Sequence, residues 1–204
     1  MMVTEVIAQI NEGKSLAGAD LAGLDFSGAD LSGADLSGAN LQGCKFANAR
    51  LQRANLTGAD LRHADLSGAD LTGSDLSGIS TDGTTFVNAN QKGVRIDRER
   101  LKVMVRTGRS LFGYDLSGMD LAGMDLRNAK LHFADLRNSN LEGADFRGAV
   151  LNDADLSFAN LKDADFRGAS LKRANFTRSI RTGAKVRKWA MKKAYIAGAT
   201  AYRD

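Results

Sequence analysis

Residues 28–41 read Gly28-Ala29-Asp30-Leu31-Ser32-Gly33-Ala34-Asp35-Leu36-Ser37-Gly38-Ala39-Asn40-Leu41. A large apolar residue returns every fifth position. A small residue, mostly Ala, stands two places before it, and Asp or Asn one place before. A period of five fits neither the 3.6 of an amphipathic helix nor the 2.0 of an ordinary strand. It fits a chain that turns a corner every five residues, with Ser and Gly at the turn. Four corners close a square, so 20 residues make one circuit. The large residue and the small one two places earlier point inward. Successive circuits stack about 4.8 Å apart, the ordinary strand spacing.

Outward from this stretch the same unit runs from Leu16 to Leu76 and again from Leu111 to Phe176, 27 units in all. The phenylalanines check the circuit length. Phe26, Phe46, Phe86, Phe146 and Phe166 share one remainder on division by 20, which places them on one wall. Phe176 does not join them.

The pattern small–Asp/Asn–Leu/Phe–Ser/Thr–Gly resembles the pentapeptide-repeat family. The resemblance implies an all-β solenoid, a right-handed quadrilateral β-helix. It also implies one possible activity, because some members mimic duplex DNA in size and negative charge, bind DNA gyrase and protect it from quinolones or toxins. Those mimics are strongly acidic, whereas this chain has a net charge of +4.

The charge is unevenly placed. Residues 1–92 carry 6 Lys+Arg against 11 Asp+Glu, residues 93–172 carry 13 against 12, and residues 173–204 carry 9 against 1. Such asymmetry bears on partners and association rather than on fold.

Two short helices are expected beside the coils. Val3, Val6, Ile7 and Ile10 form an apolar stripe over 3–12, with Thr4 and Glu5 at the start and Gly13 at the stop. Residues 97–107 read as a helix with Asp97 as N-cap and Leu101, Met104 and Val105 as its stripe. The two regions align at an offset of 95: Ile10 to Gly18 matches Val105 to Gly113, each with Gly, a basic residue, Ser and Leu at its centre. An internal duplication follows. Two tandem β-helices, each begun by its own helix, fit this signal. One continuous stack with a helix in place of most of a circuit fits the preserved Phe phase. The expected segments are 1–13 (cap helix), 14–92 (coils), 93–109 (helix), 110–180 (coils) and 181–204 (basic helix). The period breaks over 79–110, where Thr81, Gln91 and Arg106 take central positions, and it stops after Ile180. Bulky Tyr114, Met119 and Met124 open the second run at positions usually held by Ala.

The residues point away from catalysis. His63 and His132 fall on outer positions far apart, and no HExxH, Walker or GxSxG signature occurs. Cys44 stands where Ala is usual and reads as a buried small residue. The many Asp residues recur once per unit, so they are no evidence for a paired-carboxylate site or a Ca²⁺ site. No enzyme activity, cofactor or metal is expected. The start lacks the basic and apolar regions of a secretory signal, and no apolar run approaches the ~20 residues of a membrane span. A cytoplasmic protein is expected, with secretion by a route that needs no cleavable signal as the alternative.

The candidate interaction residues are of three kinds. Arg127, Arg147 and Arg167 lie 20 apart beside the column Asp125, Asp145, Asp165; they either neutralise those acids or face an anionic partner. Phe112, Phe133 and Phe158 occupy outward positions, the last two on adjacent walls and flanking one corner. Lys188, Trp189, Lys192 and Lys193 belong to a basic amphipathic helix over 184–197. That helix caps the solenoid end, pairs two copies of the chain, or meets an anionic membrane or nucleic acid. The expected function is a non-catalytic protein-interaction or scaffold module. Gyrase binding, and an effector role through the basic tail, are the alternatives.

Overall fold

One five-residue unit accounts for all of its own amides in the computed structural model, which describes residues 2–186 and Ala194. Take 65–69. The Asp65 amide donates to Cys44 O one coil back, and the Leu66 and Gly68 amides donate to Thr85 O and Val87 O one coil on. The Ala69 amide closes the turn onto Leu66 O. The fifth amide, of Ser67, donates to the Asp65 carboxylate at 2.9 Å. An unpaired buried amide is costly, so the Asp or Asn of each unit has a structural reason. It supplies the one acceptor that the coils cannot.

The coil is four-sided. Asp20, Asp25, Asp30 and Asp35 form parallel bridges with Asn40, Lys45, Arg50 and Asn55, each 20 residues on. The same ladder runs from Asp20 to Arg95 and from Ser110 to Lys185. Each corner turns through a residue of positive φ. Gly holds most of these positions, but Phe133 (φ 58°) and Phe158 (φ 61°) hold two of them.

The interior is Leu, Phe and Ala. Leu41 to Leu76 and Leu111 to Leu161 are buried at every fifth position apart from the inter-run gap, and Ala fills the space two places before. A fully buried Leu or Phe contributes about 1.5–3 kcal/mol. The Phe wall forms as the 20-residue circuit requires. Phe26 stacks on Phe46 at 5.3 Å and Phe146 on Phe166 at 4.7 Å. Phe176, two corners on, meets the edge of Phe166 at 5.8 Å. Buried Ser74, Ser139 and Ser179 replace Ala, and each hydroxyl donates to the carbonyl three residues back. Cys44 also stands in an Ala position, but its thiol donates to Leu21 O of the coil before; burial pushes that thiol up to about 11.

The chain divides into two compact units, Met1–Asp97 and Arg98–Asp204. Each opens with a nine-residue helix, α1 (Val3–Asn11) and α2 (Arg98–Arg106). Both helices stop in the same way. Gly13 and Gly108 take positive φ. The next residue's amide, Lys14 or Arg109, reaches back to Gln9 O or Met104 O, which satisfies the last turn. Val6 of α1, and Leu101 and Met104 of α2, are buried. The offset of 95 in the sequence is thus an offset of 95 between two helix-plus-coil units.

The coils run further than the Leu period suggests. Thr81, Phe86 and Gln91 are only half-buried, yet Ser80, Thr85, Asn90 and Arg95 are all bridged to the coil before. The second run likewise continues past Ile180 to Lys185, which bridges Asp165. Gly83, Gly93 and Gly183 keep the turns there. Backbone pairing and the turn residue propagate the coil, and the outermost coil tolerates a poor central residue.

Candidate interaction surface

The arginine ladder is built by the coil itself. Arg127, Arg147 and Arg167 are exposed at one corner, one per coil. Each guanidinium forks onto the Asp two residues earlier: Arg127 on Asp125, Arg147 on Asp145 and Arg167 on Asp165, each with an Nη2–Oδ2 distance of 2.6 Å. Longer contacts run to the next coil, Arg127–Asp145 at 3.8 Å and Arg147–Asp165 at 4.0 Å. The column is therefore an alternating charge zipper, and Arg137–Asp135 and Arg62–Asp60 repeat the motif at other corners. Exposed pairs of this kind add little stability each.

The zipper predicts an acid response. The Arg127 guanidinium holds the Asp125 carboxyl down at about 2, and Arg62 does the same for Asp60. A carboxyl whose folded pKa is depressed stabilises the fold above its unfolded value and loses that contribution as pH falls through the folded one. The thermal midpoint should hold steady down to about pH 4 and then fall toward about pH 2. Asp125→Asn keeps the turn acceptor and removes the titration, so its midpoint should fall less over that window. An equal fall in both proteins would count against the zipper as the source.

The aromatic residues pair across coils. Phe112, Phe133 and Phe158 are each about half exposed, at 51%, 52% and 50%. Phe112 and Phe133 belong to one corner in successive coils, and their rings lie 5.2 Å apart. Phe158 stands at the neighbouring corner beneath the Arg178 guanidinium, 5.7 Å from the ring centre. Phe133 and Phe158 thus flank a wall rather than one corner, with Asp115, Asp135 and Asp155 between them. Numbering by fives alone does not show that residues 21 apart meet at a corner.

One wall of the second unit differs from the other three. Its outward column is Ser110, Lys130, Val150 and Ser170, bridged in that order. The other three outward columns contain Asp115, Asp135 and Asp155; Asp120; or Asp125, Asp145 and Asp165. Val150 offers no side-chain acceptor to the turn that follows it. The Asn152 side chain serves the next coil instead, where its Oδ1 accepts from the Ser170 hydroxyl and the Lys172 amide. The arginine ladder runs along one edge of this wall, and the Phe112–Phe133 pair stands on the other edge with His132, Lys172 and Arg173. Arg173 forks onto Asp153 there. Sorting the outward residues by their remainder on division by 20 would have found this wall in the sequence.

Lys188, Trp189, Lys192 and Lys193 lie outside the described residues, as does most of the basic helix expected over 184–197. Among the described residues, no group of three His, Cys, Asp or Glu is placed to hold a metal ion. No helix among them is long and apolar enough to cross a membrane.

A model of pentapeptide repeats matches the chain in 8 copies, over residues 15–46, 39–78, 111–143 and 139–178. The chain belongs to the pentapeptide-repeat family. Among curated proteins, none matches it. Among solved structures, this pentapeptide-repeat chain is similar to HetL, a member involved in heterocyst differentiation regulation in the cyanobacterium Nostoc sp. strain PCC 7120. Identity is 28%, over 91% of this chain and 94% of HetL, with a TM-score of 0.35. It is similar to alr5209 of Nostoc at 34% identity, over 48% of this chain and 81% of that one, with a TM-score of 0.35. It is also similar to QnrB1, a plasmid-mediated fluoroquinolone resistance protein, at 21% identity over 87% and 90% of the two chains, with a TM-score of 0.31.

Proposed function

We propose that this pentapeptide-repeat protein is a non-catalytic protein-binding module whose partner docks on the Ser110–Lys130–Val150–Ser170 wall. The observation that carries the reading is the wall's composition. It lacks the carboxylates of the other three walls, and it lies between a row of arginines and an exposed aromatic pair. Arg and aromatic residues are enriched at protein interfaces, and charge is depleted at interface centres. A rigid flat wall is how solenoids recognise partners. The carboxylates elsewhere are engaged in turn bonds and ion pairs, and the interior is filled with Leu, Ala and Phe, which supports binding rather than chemistry. The coils wind right-handed, the sense taken by nearly all parallel crossovers.

The gyrase-directed alternative draws less support from the acidic first unit. A duplex mimic needs unbroken anionic columns, and here Lys45 pairs Asp25 and Arg50 pairs Asp30 within two of them.

The test compares three full-length proteins as bait: the native chain, Lys130→Glu with Val150→Asp, and Lys162→Glu on the wall of Asn140 and Asn160. A partner held by the native chain and by Lys162→Glu, and lost from the double variant by at least about tenfold, supports the wall. Equal retention by all three removes it.

A further inference from the structure

α2 carries a basic stripe that its counterpart α1 lacks. Arg98, Lys102 and Arg106 are spaced by four, which sets them on one helix face. At the offset of 95, α1 carries Val3, Ile7 and Asn11 in their place, and Ser32 stands where the second unit has Arg127. The duplicated unit folds its helix onto its coils without these cations. Lys102 and Arg106, which make no bond to the coils among the described residues, therefore call for another reason.

That stripe lines one side of a cleft of about 780 Å³ between α2 and the first coil of the second unit. Val105 lies on the helix side with it, and Met124, Asp125 and Arg127 line the opposite side. The cations are held in different ways. The Arg98 guanidinium donates to the carbonyls of Asp120 and Ala122 at 2.7 and 2.8 Å, which fixes its position. Lys102 pairs Glu99 at 2.6 Å on the exposed rim, and Arg127 pairs Asp125. Arg106 is exposed, with no ion pair among the described residues. Four cations thus face one lining carboxylate, over an apolar floor. A cleft lined by one sign of charge concentrates ligands of the other.

We infer that this cleft binds an acidic peptide segment of a partner protein. The charges are spread along the helix face rather than gathered on one point, and Asp125 sits among them. A condensed phosphate would meet that carboxylate, whereas an extended chain can place single carboxylates at Lys102, Arg106 and Arg127 and keep clear of it. Val105 and Met124 offer the floor an apolar side chain between those carboxylates. The volume suits a short peptide and exceeds what a single anion needs. Arg127 borders both this cleft and the Lys130–Val150 wall, whereas Lys102 and Arg106 belong to the cleft alone, so substitutions of those two test it separately.

The experiment titrates the full chain into a fluorescein-labelled peptide in which Glu pairs alternate with Leu, read by anisotropy at low salt. Saturable binding is expected, weakening steeply with added salt. Lys102→Glu with Arg106→Glu should weaken it at least about tenfold, while Arg62→Glu in the first unit leaves it unchanged. Arg106→Ala, at an exposed position with no ion pair among the described residues, should keep the thermal midpoint and still weaken binding, which separates a binding effect from a folding one. Inorganic tripolyphosphate and a single-stranded DNA serve as rival probes. Three results would overturn the inference: no saturable peptide binding, binding indifferent to the double variant, or capture of either rival probe in place of the peptide.

Discussion

Phe146→Ala should lower the unfolding free energy of this protein by about 3–5 kcal/mol, the range for truncating a buried aromatic. Phe146 is fully buried and lies flat on Phe166 at 4.7 Å, with only 5° between the ring planes. The loss has two parts. Transfer of the ring from water is lost, and a cavity remains, because the coil backbone cannot collapse onto it. Each side of the coil is held at the strand spacing by bonds to both neighbours, such as Phe146 N to Asp165 O and Asp145 N to Met124 O. The stacked pair is coupled, so Phe146→Ala with Phe166→Ala should cost less than the two single losses added. Urea unfolding of the four proteins measures this. Phe146→Leu should recover most of the stability, because Leu fills the same position in Leu126 and in most other units. A loss under about 1 kcal/mol for Phe146→Ala would show that the wall is not packed as described.

Much of this fold was legible because one physical constraint repeats. The five-residue period, the inward Leu and Ala, the Phe wall and the Asp or Asn beside each turn all follow from a chain that turns every five residues and must pair every amide. The helices were legible from Val3–Ile10 and Leu101–Val105, and their stops from Gly13 and Gly108. The ends of the runs were not, because the hydrophobic periodicity fades before the coil does. Thr81, Gln91 and Arg181 break that periodicity, yet Gly83, Gly93 and Gly183 keep the backbone turning and the ladder intact.

The surfaces were legible in part. Arg127, Arg147 and Arg167 fall 20 apart by simple counting, and the ladder with Asp125, Asp145 and Asp165 followed. The Phe112–Phe133 contact did not, because the two residues hold different positions in their turns and meet only through the corner. The cleft beneath α2 was hidden for a different reason. Arg98, Lys102 and Arg106 announce a basic helix face, but nothing in the repeat states which wall that face lies against.

The substitution with the most to say about function is Phe133→Asn, because its effects on stability and on binding should have opposite signs. Phe133 sits at φ 58°, a conformation that L-residues adopt at a cost of roughly 1–2 kcal/mol, and half of its ring is in water. Asn takes this conformation far more readily, as Asn48, Asn88, Asn128 and Asn138 do at the equivalent positions of other turns. The fold alone would therefore choose Asn or Gly here. Phe133→Asn should raise the unfolding free energy by up to about 1 kcal/mol, after the lost contact with Phe112 is set against the relieved strain. If the aromatic edge of the carboxylate-free wall binds a partner, the same variant should weaken that binding by about 2 kcal/mol or more, roughly thirtyfold, as an interface aromatic does. Phe158→Asn is the control. It relieves similar strain at φ 61° but stands away from the Lys130–Val150 wall, so it should leave partner binding unchanged. A Phe133→Asn protein that is less stable than the native chain would show that the ring works as packing. One that is more stable and binds as well would remove the aromatic pair from the interface.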